Sequence, residues 1–278
     1  MSIPNIPATE VFNTVEYKEF CDVIHEKPRY HRKQWEFYVI QKEIMEHFHG
    51  NIEKKNGLGF AVGQEVLLPY FVKKGATIIG TDLDPSSEIS KGWIDSNQHL
   101  SNNVPLNNIV DENTFNTRFH MDYVDMNNIP TKYLQNKQDF IWSSCALEHL
   151  GSTQKGLDFI INSLSCLKPG GVAVHTTEFS MSSHTEHFEH EQSAIYSRYL
   201  ILNLINDIRL LGYDVKPIKF QRDHSPINNH VDKPPYVNGK SCDNCAHIAR
   251  DVKNTHLNLL LHGNVVSTSL YLVITKPC

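Results

Sequence analysis

From residue 56 onward the sequence alternates short apolar runs with helical segments, and this alternation constrains the fold more than any other feature. The apolar runs read GLGFA, ATIIGTDL, FIWSSC and GVAVHTTEF, and the helical patterns between them end near Lys74 and Leu167. Repeated βα units with short connections form a mostly parallel sheet with helices on both faces. The pattern therefore predicts one α/β domain over residues 51–278.

Two regions lie outside this repeating pattern. Residues 1–50 are predicted to be an N-terminal helical extension, because apolar positions recur at helical spacing through WEFYVIQKEIMEHFHG until Gly50 ends the helix. Near the end of the chain, two predicted strands, DVKPIKF and VSTSLYLVITK, are separated by a long segment rich in Asn, Pro and His. A connection of that length is usually functional, so we expect residues 223–263 to be an insertion on the substrate side.

Charge and hydropathy exclude several classes of protein. The 26 Lys and Arg residues against 31 Asp and Glu give a net charge of -5, so the basic field that drives non-specific nucleic-acid binding is missing. No apolar run approaches the about 18 residues that a membrane-spanning helix requires. The start, MSIPNIPATEVF, lacks the basic and apolar regions of a secretory signal. We therefore expect a cytoplasmic protein with no nucleic-acid partner and no membrane span.

The six cysteines are too sparse for a disulfide scaffold, and reduced thiols are expected. Cys242 and Cys245 have the spacing of a zinc knuckle, and His247 is the nearest additional ligand. No second CxxC pair accompanies them, so a structural zinc there remains only an alternative.

The strongest functional signal is a small-residue turn followed by an acid at the end of the next strand. Gly59, Ala61 and Gly63 allow the backbone to approach a ligand closely, and Asp82 follows Gly63 by 19 residues. One crossover helix and one strand fill that interval, so both features are predicted at the carboxyl edge of adjacent parallel strands. Together they indicate a nucleoside-binding site, and a capped structural turn is the alternative.

A dinucleotide-binding dehydrogenase is disfavoured, because Val62 occupies the position of the third small residue in its motif. The pattern G-x-A-x-G from Gly59 instead resembles the first motif of the class I S-adenosylmethionine-dependent methyltransferases. Asp125-Met126, the segment WSSCALEHL and the turn LKPGG resemble later motifs of that family in the same order. The resemblance covers residues 56–179 and implies a Rossmann-like fold with a seven-stranded, mostly parallel sheet whose last strand is antiparallel.

The resemblance also implies S-adenosylmethionine as cofactor and S-adenosylhomocysteine as product. Gly57 departs from the family pattern, since many members carry an acid there that orients the amino group of the methionine. The implied cofactor-binding residues are Gly59, Ala61, Gly63, Gln64, Asp82, Leu83, Asp125, Met126, Ser143 and Ser144, with Glu65 a further alternative for the amino-acid end.

Methyl transfer is an in-line displacement, so the protein mainly has to orient the two reactants, and a base is needed for a hydroxyl acceptor. Glu148-His149 resembles a pair that borders the methyl-transfer site in related enzymes and is our first prediction for the base. Capping by Glu148 and packing of His149 form the structural alternative. His175 and Glu178, at the end of the fifth predicted strand, are the next catalytic candidates.

The acceptor is predicted to be a hydroxylated small molecule or a saccharide. His230, Asp232 and Tyr236 lie in the polar insertion and are predicted to bind it, because each buried substrate hydroxyl needs a partner. The whole chain is similar to methyltransferases associated with bacterial surface polysaccharide assembly. A small-molecule N-methyltransferase and a non-catalytic nucleoside-binding protein remain the alternative functions. No metal is predicted. The oligomeric state stays open.

Overall fold

The computed structural model describes residues 3–101, 104–190, 193–236 and 254–278. Three helices open the chain, α1 Thr9–Phe12, α2 Val15–Val23 and α3 Arg32–His47. Side chains cap two of them, because Thr14 accepts from the backbone N–H of Tyr17 and His31 accepts from that of Lys33.

A large sheet of nine strands forms the centre of the described structure. A separate hairpin of β6 and β7 lies outside it, and β11 is the long antiparallel strand beside β5. The strands are β1 Asn56–Phe60, β2 Thr77–Asp82, β3 Phe119–Tyr123, β4 Gln138–Ser144, β5 Leu167–Ser180, β6 Phe188–His190, β7 Ser193–Ile195, β8 Asp214–Val215, β9 Val231–Asp232, β10 Asn258–Leu261 and β11 Val265–Thr275.

The sheet order is β3-β2-β1-β4-β5-β11-β10-β9, with β8 also paired to β11. Strands β1 to β5 are parallel throughout, so their carboxyl ends meet at one edge. The order reverses direction at β1, which creates a crevice between β1 and β4 where open α/β sheets bind their ligands.

Helices cover both faces of the sheet. One apolar cluster joins α3 and α4 to one face through Trp35, Phe71 and Trp142, and a second joins α7 and α8 to the other through Phe159 and Ile205. The helices after α3 are α4 Leu67–Lys73, α5 Lys91–Asp95, α6 Glu112–Arg118, α7 Thr153–Ser163, α8 Arg198–Leu210 and α9 Pro226–Asn229.

The predicted fold class is confirmed, and the sheet differs in its outer strands. Its described part has nine strands instead of seven, because two segments within the predicted insertion, residues 223–263, form β9 and β10. The predicted strand DVKPIKF contributes only Asp214–Val215 to the sheet. The backbone N–H of Lys216 still donates to Val273 O at 3.0 Å, but Pro217 comes next and has no N–H for a strand ladder.

The middle of the β11 edge is completed by the N-terminal segment. Asn5 accepts from the backbone N–H of Tyr271 and donates to the backbone oxygen of Lys219, both at 3.0 Å. Its side-chain amide bonds to Tyr271 O at 3.0 Å and accepts from the Lys219 N–H at 2.8 Å. Asn5 therefore takes the place of a neighbouring strand along the part of β11 that lies between its pairing with β10 and its pairing with β8.

Among the described residues, no helix combines the length and the apolar character needed to cross a membrane.

Replacing Asn5 by Ala is expected to lower the free energy of unfolding by about 1–3 kcal/mol, because it leaves the buried Tyr271 carbonyl and the part-buried Lys219 N–H without their side-chain partner. Urea denaturation measures the change. Asn113→Ala, at an exposed helical position, is the matched control and should change stability by less than about 0.5 kcal/mol. Equal effects of the two substitutions would contradict the structural role of Asn5.

Candidate active site at the carboxyl edge of the sheet

A tight backbone turn follows β1 at the crevice. Ala61 and Gly63 have φ angles of 47° and 50°, in the left-handed region. A Cβ at Gly63 would lie 2.2 Å from the backbone oxygen of Gln98, and one at Gly59 would lie 2.4 Å from the Trp142 ring. Only glycine fits at these two positions. Gln64 follows the turn, half-buried, and its amide donates to Asn97 at 3.4 Å.

Asp82 lies at the end of β2, with 8% of its surface exposed. Its carboxylate accepts from the backbone N–H of Leu83 at 2.9 Å and from that of Leu100 at 3.1 Å. Burial raises the pKa of this carboxyl, although these hydrogen bonds act in the opposite direction. A carboxylate has about four lone-pair sites, so Asp82 retains acceptor capacity for ligand hydroxyls.

Asp125 and Met126 follow β3, next to the end of β2. The backbone N–H of Val124 donates to Asp82 O at 2.7 Å, which holds the two strand ends together. Asp125 is exposed and Met126 is buried, so the pair combines a polar side chain at the surface with an apolar side chain beneath the surface. The structure thus brings the predicted turn, Asp82 and Asp125-Met126 to three neighbouring strand ends.

Helix α3 contributes charged side chains that the sequence interpretation missed. Lys33 Nζ donates to Ser144 O at 2.9 Å and to Ser144 Oγ at 3.1 Å, at the end of β4. Glu36 forms an ion pair with Lys33 at 3.2 Å and accepts from the hydroxyl of Ser144 at 3.2 Å. Burial acts to raise the pKa of Glu36, but the charges of Lys33 and Arg32 outweigh it and hold the pKa below its ordinary value.

A sequence signal for these contacts existed. Arg32, Glu36 and Glu43 recur on the same helical face as the apolar Val39 and Ile40. Charged residues within a buried stripe need partners from another element, and this requirement points to a polar site opposite the helix.

Glu65 is a second buried carboxyl beside the turn. It accepts a hydrogen bond from the indole N–H of Trp142 at 3.0 Å. Burial raises the pKa of Glu65 to about 8, against the opposing charge of Lys33.

The predicted pair Glu148-His149 forms a short 3-10 turn after β4. Glu148 is buried, and the hydroxyl of Thr177 donates to it at 3.2 Å. Burial raises its pKa. The exposed His149 ring contacts the edge of Trp93 at a centroid distance of 4.8 Å.

His175 and Glu178 lie on opposite faces of β5. His175 packs against α7, where Nδ1 is 2.8 Å from the Ser143 hydroxyl and the ring meets Phe159 edge to face. Burial lowers the pKa of His175 to about 3. The structure therefore places His175 and Ser143 in the interior, away from the side chains of α3.

Glu178 faces the crevice, and two neighbouring side chains fix the position of its carboxylate. Its carboxylate forms an ion pair with Arg32 and accepts a hydrogen bond from the hydroxyl of Ser267. Arg32 thus ties α3 to the end of β5, as Lys33 ties it to the end of β4.

The residues predicted to bind the acceptor lie beyond Glu178, around β9 and β10. Asp232 is buried and lies 2.7 Å from Nδ1 of His256, which the site prediction did not include. The hydroxyl of Tyr236 donates to Leu260 O at 2.7 Å, and the backbone oxygen of His230 accepts from Asn258 at 2.8 Å.

The proposed zinc alternative at Cys242, Cys245 and His247 lies outside the described residues. Within the described ranges, no group of three or more His, Cys, Asp or Glu side chains is arranged to hold a metal ion.

The sequence matches no protein-family model and no curated protein. Solved structures show the fold, which is that of the class I S-adenosylmethionine-dependent methyltransferases. The chain is similar to the geranyl diphosphate C-methyltransferase of Streptomyces coelicolor A3(2), with a TM-score of 0.50 and 12% identity over 100% of this chain and 91% of that one. It is also similar to the [4+2]-cyclase SpnF, with a TM-score of 0.50 and 13% identity over 99% and 98% of the two chains.

A third similar structure is the phosphoethanolamine N-methyltransferase 2 of Haemonchus contortus, with a TM-score of 0.50 and 13% identity. The match covers 98% of this chain but 61% of that one, so this chain spans about three fifths of the length of that structure. The shared fold thus accommodates proteins named for different reactions.

Glu65 should make stability fall as pH rises. Its pKa is 4.5 in an unfolded chain and about 8 in the folded one, so between these values the folded state holds a proton that the unfolded state has lost. The free energy of unfolding of the wild type should fall from pH 5 to pH 8 by about 3.5 kcal/mol more than that of Glu65→Gln. Urea denaturation at both pH values measures this difference.

Glu53→Gln is the matched control, because Glu53 is exposed, and it should keep the wild-type pH dependence. If Glu65→Gln also keeps that dependence, Glu65 does not hold a proton in the folded protein.

Proposed function

We propose that the protein is an S-adenosylmethionine-dependent methyltransferase that methylates a hydroxyl group of a small molecule or saccharide. The observation that carries this proposal is the joint placement of the glycine turn, Asp82 and Asp125 at the ends of three neighbouring parallel strands. Open α/β sheets bind nucleosides at this kind of edge.

The residues at this edge fit the cofactor. The turn from Gly59 to Gly63 brings backbone close to the crevice, Asp82 has acceptor sites for the ribose hydroxyls, and Met126 supplies an apolar surface below Asp125 for the adenine. When bound, S-adenosylmethionine supplies a methyl group on a positively charged sulfur.

The charged side chains beside the turn suit an amino-acid tail. Lys33 provides a cation, while Glu36 and Glu65 provide carboxyl groups, and all three act on one another electrostatically. A ligand carboxylate would find the cation of Lys33 there, and a ligand ammonium group would find the carboxylate of Glu36 and the carboxyl oxygens of the neutral Glu65. In our proposal this set replaces the family acid that is missing at Gly57.

The far side of the crevice supports a hydroxylated acceptor. The Arg32–Glu178 ion pair, the Asp232–His256 pair and the half-buried Tyr236 make this side polar although it is largely buried. A bound hydroxyl would find partners among these groups, and buried hydroxyls without partners are costly. The similar proteins are named for C-methylation, N-methylation and cyclisation, so their names do not identify the acceptor atom. We infer an oxygen acceptor only from the polar side chains on this side of the crevice.

The methyl-transfer role depends on orientation of the two ligands. Residues of β1, β2 and β3 would hold the nucleoside, and residues of β5, β9 and α3 would hold the acceptor against it. This arrangement converts a bimolecular reaction into one between pre-aligned groups.

Asp82→Asn is expected to weaken binding of S-adenosylhomocysteine by about 10- to 100-fold, because the charged acceptor for the ribose hydroxyls is lost. Isothermal titration calorimetry of the purified protein measures the dissociation constant. Asp158→Asn, at an exposed position of α7 on the other face of the sheet, is the matched control and should bind as the wild type does.

Two outcomes would overturn this assignment. A wild type that binds neither S-adenosylhomocysteine nor S-adenosylmethionine would refute the proposed function. Wild-type affinity in Asp82→Asn would remove Asp82 from the cofactor site.

A further inference from the structure

Asp232 and His256 form a buried pair at the outer side of the crevice. Asp232 ends the short strand β9, and His256 precedes β10, which runs parallel to β9. The carboxylate oxygen Oδ2 lies 2.7 Å from Nδ1 of the imidazole, and the two residues are 3% and 7% exposed. Because a carboxylate oxygen accepts, Nδ1 carries the hydrogen and Nε2 keeps its lone pair.

The His256 ring is fixed in place by its neighbours. The His31 ring stacks on it at 4.7 Å, and Tyr236 meets it edge to face at 5.8 Å. The backbone N–H of Arg32 donates to His256 O at 2.9 Å, and the backbone N–H of His256 donates to Tyr30 O at 2.8 Å. The start of α3 thus anchors the imidazole next to the residue that pairs with Glu178.

His256 is a neutral imidazole at neutral pH. Burial lowers its pKa, while Asp232 and Glu178 act to raise it and Arg32 acts to lower it. Burial and the neighbouring His256 lower the pKa of His31 to about 2, so the stacked ring adds no charge at neutral pH. The hydrogen bond to Asp232 engages Nδ1, so Nε2 is the ring nitrogen whose lone pair can take up a proton.

We propose that His256, held in its tautomer by Asp232, is the general base that takes the proton of the acceptor hydroxyl. This inference rests on the proposed function. The acceptor oxygen forms a bond to the methyl carbon while the bond from that carbon to sulfur breaks with its electron pair on sulfur. The hydroxyl proton passes to Nε2, and Asp232 stabilises the resulting imidazolium.

The four side chains predicted from sequence suit this role less well. Glu178 is engaged by Arg32 and Ser267, and His175 bonds to Ser143 in the interior. Burial raises the pKa of Glu148, which favours its protonated form. His149 is the remaining rival, since it is exposed beside Trp93.

The first test reads the imidazole directly and needs no acceptor. Nitrogen-15 NMR of histidine-labelled protein at pH 7, with His256 assigned by comparison with His256→Gln, should show a neutral ring with hydrogen on Nδ1. In Asp232→Asn this preference should weaken. Hydrogen on Nε2 in the wild type, or a charged imidazolium at pH 7, would overturn the proposal.

The second test measures methyl transfer from radiolabelled S-adenosylmethionine to a panel of simple glycosides, polyols and catechol, with aliphatic amines as the alternative acceptors. With any hydroxyl compound that the wild type methylates, His256→Gln should lower kcat by about 100-fold and Asp232→Asn by about 10-fold or more. His120→Gln, at an exposed position of β3, is the matched control and should retain full turnover.

Calorimetry with S-adenosylhomocysteine separates this inference from the proposed function. Wild-type affinity in His256→Gln shows that the variant is folded and that its loss concerns the chemical step. Near-normal turnover of His256→Gln, or methylation of the amines alone, would overturn the role of His256 while the methyltransferase proposal stands. Failure of the wild type to bind S-adenosylhomocysteine would refute the proposed function itself.

Discussion

The charged side chains that join α3 to the ends of β4 and β5 hold the candidate site together. Arg32 pairs with Glu178, and Lys33 and Glu36 surround Ser144. Removing charges from water is costly, and the cost is offset only when the remaining lone pairs also find partners. Glu36 meets this condition because Lys33, Ser144, Cys145 and Ser269 all lie against its two oxygens.

In our proposal this charge network lies between the half of the crevice that binds the cofactor and the half that binds the acceptor. Its inner members, with Glu65, lie beside the turn that follows β1, and its outer member Glu178 lies toward β9 and β10. The proposed nucleoside half is built from backbone geometry and few side chains, whereas the outer half is built from paired polar side chains.

The fold and the positions of the glycine turn and Asp82 were predictable because their signals are local. Gly59, Gly63 and Asp82 are set by the backbone needs of one βα unit and the strand that follows it, and the structure places them at adjacent strand ends. The faces of β5 were harder to predict. His175 and Glu178 are three residues apart, an odd separation that puts their side chains on opposite faces of a strand.

The sequence by itself determined the alternation of strands and helices, and with it the edge at which the glycine turn and the acids meet. It did not determine which distant residues complete that edge. Arg32 and Glu178 are far apart in the chain, and so are Asp232 and His256, and neither pair has a local spacing that a sequence pattern detects. Only tertiary packing decided these partners, because a buried charge is tolerated where another element happens to supply its counter-charge.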